Sequence, residues 1–401
     1  MAAIGIVQAL LEFAFAPIVG FIEATQIVVA RRVGQLRERE IAPTFDRTLR
    51  VVGVTSLIIA AALRFGTEAF APDIITSRAV AHAIVDFFRY GAIGFVFLAL
   101  NLTYSSLYIG LHRPRILITS TFLLVSANIL LSYALVLGHF GCPRLGIKGA
   151  GIAFAAAEAL MLAFIAWRAW RELNVGRRSL APSRIAGGIS TRQLTRLAWP
   201  ISAQLLIEAL RWLGFFLIVE RMGRDALAAS SIVFACYTLL LVPTDACAQA
   251  IYSLVSTMIG RGQDSQIRAL IRRVIASAYG ITAPFLVFLA VAPAAAVTIF
   301  TGNHSTLHGA VGPLRLLPLL LLLIIPSDAW LATIFGTGDT RFGAAVEVLA
   351  SAVVLIGASA LGLGLHADLT YVWATLGAAA VVTLGLARAR VQGSHWRAHE
   401  I

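Results

Sequence analysis

Glu208 stands eight residues after Pro200, in the middle of an apolar stretch over 196–220. A carboxylate placed in hydrocarbon costs about 2.5–3.5 kcal/mol on insertion scales, so such an acid is a functional candidate by default. Gln204, Glu208, Arg211 and Phe215 recur at i, i+4, i+7 and i+11 and share one helical face. A carboxylate on that face can bind Na⁺ or exchange a proton; alternatively it forms a structural pair with Arg211 at i, i+3. Asp328 follows Pro326, whose missing N–H frees the carbonyl of Leu322 and bends the helix. A free carbonyl beside a carboxylate makes a cation site; the other reading is helix capping within a break. A third set of polar residues, Thr238, Asp245, Gln249, Tyr252 and Ser256, forms a stripe along 227–259. Trp212 and Phe215 offer aromatic faces to a cationic substrate or else pack between helices.

The elements that carry these residues must be membrane spans. Of 401 residues 59% are hydrophobic and 13% charged, about half the charge of an ordinary soluble chain. Apolar runs between turn and charge signals predict eleven helices. They cover 3–31, 49–71, 80–111, 115–138, 148–170, 196–220, 227–259, 268–296, 306–336, 342–365 and 369–388. The net charge of +12 does not point to nucleic acid. Its basic residues, all arginine except Lys148, sit in short segments between apolar stretches. Cys142, Cys236 and Cys247 form no CxxC pair and no metal spacing, so neither a metal nor a cofactor is expected. Met1 leads straight into apolar sequence, without the basic start of a cleavable signal.

The chain repeats itself at an offset of 226 residues. The offset pairs Pro17 with Pro243, Gly34 with Gly260, His82 with His308, Arg89 with Arg315, Gly110 with Gly336 and Arg115 with Arg341. Two apolar stretches aligned by composition alone would match Leu and Ala, not these residues. The offset also sets Glu12, Glu23 and Gln26 opposite Thr238, Gln249 and Tyr252. Both stripes are therefore expected to face a central cavity, with Glu12 and Asp245 the deeper acids, unless they join helices by hydrogen bonds. Asn101, next to the partner position of Asp328, is a further candidate for the lining. Arg89 and Arg315 are expected to be structural.

The helix at 196–220 has no counterpart in the first half. The expected plan is an all-α integral membrane protein of two parallel-repeat helical bundles, with eleven helices of a twelve-helix plan. The N-terminal lobe covers 1–174, a cytoplasmic linker 175–195, the C-terminal lobe 196–390 and a cytoplasmic tail 391–401. Of the 32 Lys and Arg, 23 fall on the side that holds the linker, which makes that side cytoplasmic. Odd parity then puts Met1 outside, and a restored leading helix would return the N-terminus to the cytoplasm.

Several segments together resemble multidrug and toxic compound extrusion (MATE) transporters. They are Leu197-Ala-Trp-Pro200 through Glu208 to Gly223, Leu227-Ala-Ala-Ser-Ser231, Met258-Ile-Gly-Arg-Gly262, Gly336-Thr-Gly-Asp-Thr-Arg341 and Leu145-Gly-Ile-Lys-Gly-Ala150. The resemblance covers nearly the whole chain. It implies a two-lobed antiporter that exports organic, often cationic compounds against inward H⁺ or Na⁺, with Glu208 in cation coupling. The family's first helix, with its acid, has no counterpart here. The expected partners are a small organic substrate and the lipid bilayer, for a monomer in the inner membrane of a bacterium.

No phosphate-binding loop ending in Gly-Lys, HExxH helix or GxSxG elbow occurs, so an ATP-driven pump or a hydrolase is not expected. The rival readings are a flippase for lipid-linked saccharides or peptidoglycan precursor and a non-transporting membrane scaffold. A flippase would want a basic cavity, whereas only Arg89, Arg211 and Arg315 lie within spans.

Overall fold

A computed structural model describes residues 2–74, 77–173, 188–298 and 304–393. These residues contain helices and connecting turns but no strand. Most of the expected linker (175–187) and of the expected tail (394–401) lies outside them. The chain divides into two compact units, Met1–Ser202 and Ala203–Ile401. Eleven helices among the described residues are long and apolar enough to cross a membrane, the number expected.

The first unit holds α1 (Ala2–Gly34), α2 (Ile41–Ala61), α3 (Thr67–Ile74), α4 (Arg78–Gly110), α5 (Arg115–Leu137) and α6 (Ile147–Leu173). The helix α7 (Thr191–Met222) begins in this unit and ends in the next. The second unit continues with α8 (Arg224–Gly260), α9 (Ile267–Val291), the short α10 (Pro293–Thr298), α11 (His304–Thr337), α12 (Thr340–Ser359) and α13 (Leu369–Gln392). The 226-residue offset survives at the level of elements. The helix starts Ile41 and Ile267 are separated by that interval. So are the 3₁₀ turns Glu38–Glu40 and Asp264–Gln266.

Three spans differ from expectation, two of them for a clear local reason. Helix α7 starts at Thr191 instead of 196, because Ser190 and Gln193 form a reciprocal cap. The Gln193 N–H donates to the Ser190 Oγ (3.2 Å), and the Ser190 N–H donates to the Gln193 Oε1 (3.0 Å). The expected span 268–296 breaks at Ala292 (φ −131°, ψ 54°), whose place before Pro293 disfavours helical geometry. The expected span 49–71 begins eight residues earlier and is carried past Ala61 by a π turn, Ala62–Gly66.

In the first unit α4 is central, packed by α1, α2 and α6. Phe88, Phe95, Ile84 and Ile18 are fully buried there. Helices α4 and α6 approach through glycines. A Cβ on Gly91 would stand 3.0 Å from the Gly151 Cα, and one on Gly151 would stand 2.5 Å from the Phe87 carbonyl oxygen. Small residues at such crossings let backbones meet where lipid offers no hydrophobic drive. In the second unit α11 takes the central place, against α8, α9 and α13.

Because the α4–α6 crossing has no room for a side chain, Gly151→Leu is expected to cost about 1–3 kcal/mol. The melting temperature of the purified protein in detergent should fall by several degrees, with Gly280→Leu, where nothing crowds a Cβ, as the unaffected control.

Candidate functional site

Helix α7 carries Gln204 and Glu208 half-buried and Arg211 almost wholly enclosed. The Arg211 guanidinium is shared. Its Nη1 donates to the Glu347 Oε1 at 2.9 Å, and its Nη2 donates to the Glu208 Oε1 at 3.2 Å. The two carboxylates are not equivalent: the Glu347 side chain is 7% exposed and that of Glu208 39%. Glu347, on α12, is therefore the fixed partner, while Glu208 keeps one side open. The Arg211 guanidinium also lies 5.7 Å from the centre of the Trp212 ring. Both readings of Glu208 thus have a basis in one geometry, a pair with Arg211 and an accessible carboxylate.

Asp328 on α11 lies within electrostatic reach of Glu208, Asp245 and Glu347. The second unit therefore brings three of the expected acids together with Glu347, which the sequence reading had passed over. An acid inside the apolar span 342–365 was the signal that could have found it. Asp245 on α8 is exposed. Against these four carboxyls stands one guanidinium, so the cluster carries a surplus of acidic groups.

The cation site expected at the Pro326 break needs a correction. The Leu322 carbonyl is not free: the Tyr279 hydroxyl of α9 donates to it at 2.6 Å. Helix α11 runs on through Pro313, Pro318 and Pro326 without a break, and Asp328 does not cap a helix end. Beside it, the Ser327 hydroxyl donates to the Asp328 Oδ1 at 3.3 Å. A hydroxyl from 43 residues upstream cannot be read from the spacing around a proline.

The aromatic residues also need correction. Phe215 is fully buried, with Trp373 5.3 Å away edge to face. It belongs to the core of the second unit and offers no face to a ligand. Trp212 is half-buried, 4.6 Å from Phe234 and 5.3 Å from Tyr237. The Trp373 indole N–H donates to the Ser230 hydroxyl at 3.1 Å, which closes this cluster.

In the first unit Glu12 is exposed on α1. Asn101 does not line an open surface. It is 1% exposed, and its Nδ2 donates to Glu158 of α6, to the carbonyl oxygen at 2.9 Å and to Oε2 at 2.7 Å. Glu158 was not singled out by the sequence reading either. Gln26 is buried, Glu23 half-buried, and in the second stripe Tyr252 and Ser256 are buried while Thr238 is exposed. Arg89 pairs with Glu68, as a structural role requires. Arg315 is exposed.

The MatE family model matches residues 1–134 and 200–360. A probable multidrug resistance protein NorM of Thermotoga maritima is 24% identical over 62% of this chain and 53% of its own length. The multidrug resistance protein MdtK of Klebsiella pneumoniae is 25% identical over 62% and 55%. The chain thus spans about half the length of these two relatives. A probable NorM of Deinococcus radiodurans is 27% identical over 92% of the chain and 84% of its own length. Among solved structures, the outward-facing conformation of a multidrug resistance MATE family transporter of the MOP superfamily is similar with a TM-score of 0.87. Its identity is 17%, over 98% of this chain and 88% of that one. A MOP superfamily transporter from Pyrococcus furiosus is similar with a TM-score of 0.86 at 18% identity, over 98% and 88%. At these identities the likeness of structures speaks for the fold.

Removing Arg211 strands Glu347 in the interior, and breaking a buried pair from one side costs about 3–5 kcal/mol. Arg211→Leu is expected to lower the melting temperature sharply, and Arg211→Leu with Glu347→Leu to recover much of the loss. Equal losses in the single and double variants would show that the pair is not what holds these helices.

Proposed function

The chain belongs to the MatE family, and on that premise we propose that it exports small organic, often cationic compounds by alternating access in exchange for H⁺ or Na⁺. The family is one of transporters, not enzymes, and the chain is a multi-pass membrane protein. We place it in a bacterial inner membrane, with the linker and the C-terminus cytoplasmic, working as a monomer in the bilayer.

The observation that carries this reading is the shared guanidinium. Arg211 is held by the enclosed Glu347 and reaches only one oxygen of the more open Glu208. A guanidinium stays charged at any physiological pH, so it cannot release the site by losing a proton. What can change is the occupancy of Glu208. A proton or Na⁺ on that carboxylate takes over the role of Arg211, and its departure returns the pair. An organic cation arriving beside Asp328, Asp245 and Glu208 meets the same surplus of acid. Binding of the ion and of the substrate are then mutually exclusive in charge, as exchange requires. The names of the NorM and MdtK relatives, multidrug resistance proteins, agree with this reading. A flippase for an anionic lipid-linked precursor would meet acids here instead of a basic cavity.

The test is efflux of ethidium or norfloxacin from a pump-deficient bacterial strain that expresses the chain. Wild type should lower accumulation and Glu208→Gln should abolish most of that effect, at equal amounts of protein in the membrane. Efflux unaffected by Glu208→Gln would remove this residue from coupling, and no efflux by wild type would favour the flippase.

A further inference from the structure

Glu158 lies in α6 with 5% of its surface exposed and, among the described residues, no charged partner. Along its own helix Lys148 and Arg168 are each ten residues away, about 15 Å along the axis. Lys148 faces Asp86 and Arg168 pairs with Glu172. The helices packed on α6 are α4 and α5. From α4, one turn beyond Asn101, Tyr104 turns to Phe45, with ring centres 5.0 Å apart. Tyr108 packs on Ile165. Both phenols are neutral, and α5 has no charged side chain between Arg115, at its start, and Leu137. An uncompensated carboxylate in such a place is costly.

A second polar atom in the same place is also unsatisfied. Asn101 spends both protons of Nδ2 on Glu158, one on the carbonyl and one on Oε2. Its Oδ1 is buried and has no hydrogen-bond partner among the described residues. An orphaned buried acceptor is destabilising, because it has lost its water and gained nothing in return. A primary amide and a carboxylic acid complement each other: the amide N–H donates to one acid oxygen, and the acid O–H donates back to the amide oxygen. Half of that ring is present. One proton on the Glu158 Oε1 would complete it, neutralise the carboxylate and satisfy the Asn101 Oδ1.

The geometry points to a proton-binding site in the first unit, built from Glu158 and Asn101. The proton comes from water, forms an O–H bond at Oε1 and is donated to the Asn101 Oδ1; on release it returns to water and leaves the carboxylate. One carboxyl and one amide do not supply the several oxygens that a metal cation needs, so the ligand is H⁺. The glycine crossing of α4 and α6 explains why the pair can form, since the Asn101 amide must reach the backbone of the facing helix. The site belongs to the first unit and shares no residue with the acids of the second. It bears on the exporter reading only through its transport arm, where it supplies a proton load that Glu208 does not carry.

The test is the pH-difference infrared spectrum of the full chain in liposomes. At neutral pH wild type should show the C=O stretch of a protonated, hydrogen-bonded carboxyl. Glu158→Gln should lose this band, and Glu208→Gln should keep it. Asn101→Leu removes the partner and should shift the band to higher wavenumber. Glutamine reproduces both bonds of the ring, so Glu158→Gln should melt close to wild type while Glu158→Leu falls. A carboxylate band in place of the carboxyl band would overturn the assignment. So would loss of the band on adding Na⁺ at constant pH, or an unmoved band in Asn101→Leu. In the transport arm, Glu158→Gln should remove part of the pH dependence of efflux. The infrared result stands whether or not the chain exports drugs, so failure of the exporter reading is distinguishable from failure of this one.

Discussion

Inside hydrocarbon every polar group must find its partner within the protein, and the internal order of both units follows from how that demand is met. In the second unit the demand is met by charge. One guanidinium, from Arg211, serves two carboxylates on different helices. In the first unit it is met by an amide, which Asn101 gives to Glu158. The same demand reaches the backbone, where the Leu322 carbonyl released by Pro326 is taken by the Tyr279 hydroxyl.

Packing serves these contacts in two ways. Glycines at the α4–α6 crossing bring one backbone within reach of an amide from the other. On α7 the aromatic cluster around Trp373 holds Phe215, one turn beyond Arg211, so that the guanidinium is presented from an anchored helix. Rigid support for a charged centre limits where Glu208 can go. The exposure of Glu208 then becomes the adjustable element, and Glu347 the constant one.

Much of this organisation was legible in the residues. The 226-residue offset, read from prolines, glycines and arginines, holds to the residue at the starts of α2 and α9 and of the 3₁₀ turns before them. Helix number followed from hydropathy because a span must be continuous and apolar, a property local in sequence. Glu208, Asp328 and Asp245 were found as acids inside spans. Glu158 and Glu347 obey the same rule, but their partners come from other helices and nothing in their spacing along the chain points to them. Phe215 and Asn101 sat on the expected faces, yet a face says only which direction a side chain leaves its helix. It does not say whether lipid, cavity or another helix lies there.

Class, span pattern, repeat and family are legible along the chain, because each is carried by composition or by fixed spacing. Which polar atoms are partnered is set by the packing of helices far apart in sequence. Arg211 and Glu347 lie 136 residues apart, Tyr279 and Leu322 43, and Asn101 and Glu158 57. Such pairs depend on how whole helices cross, with sub-ångström tolerance at glycines and hydrogen bonds, and no local periodicity encodes that. The orphaned oxygen of Asn101 is of this kind: it exists only once α4 and α6 have met.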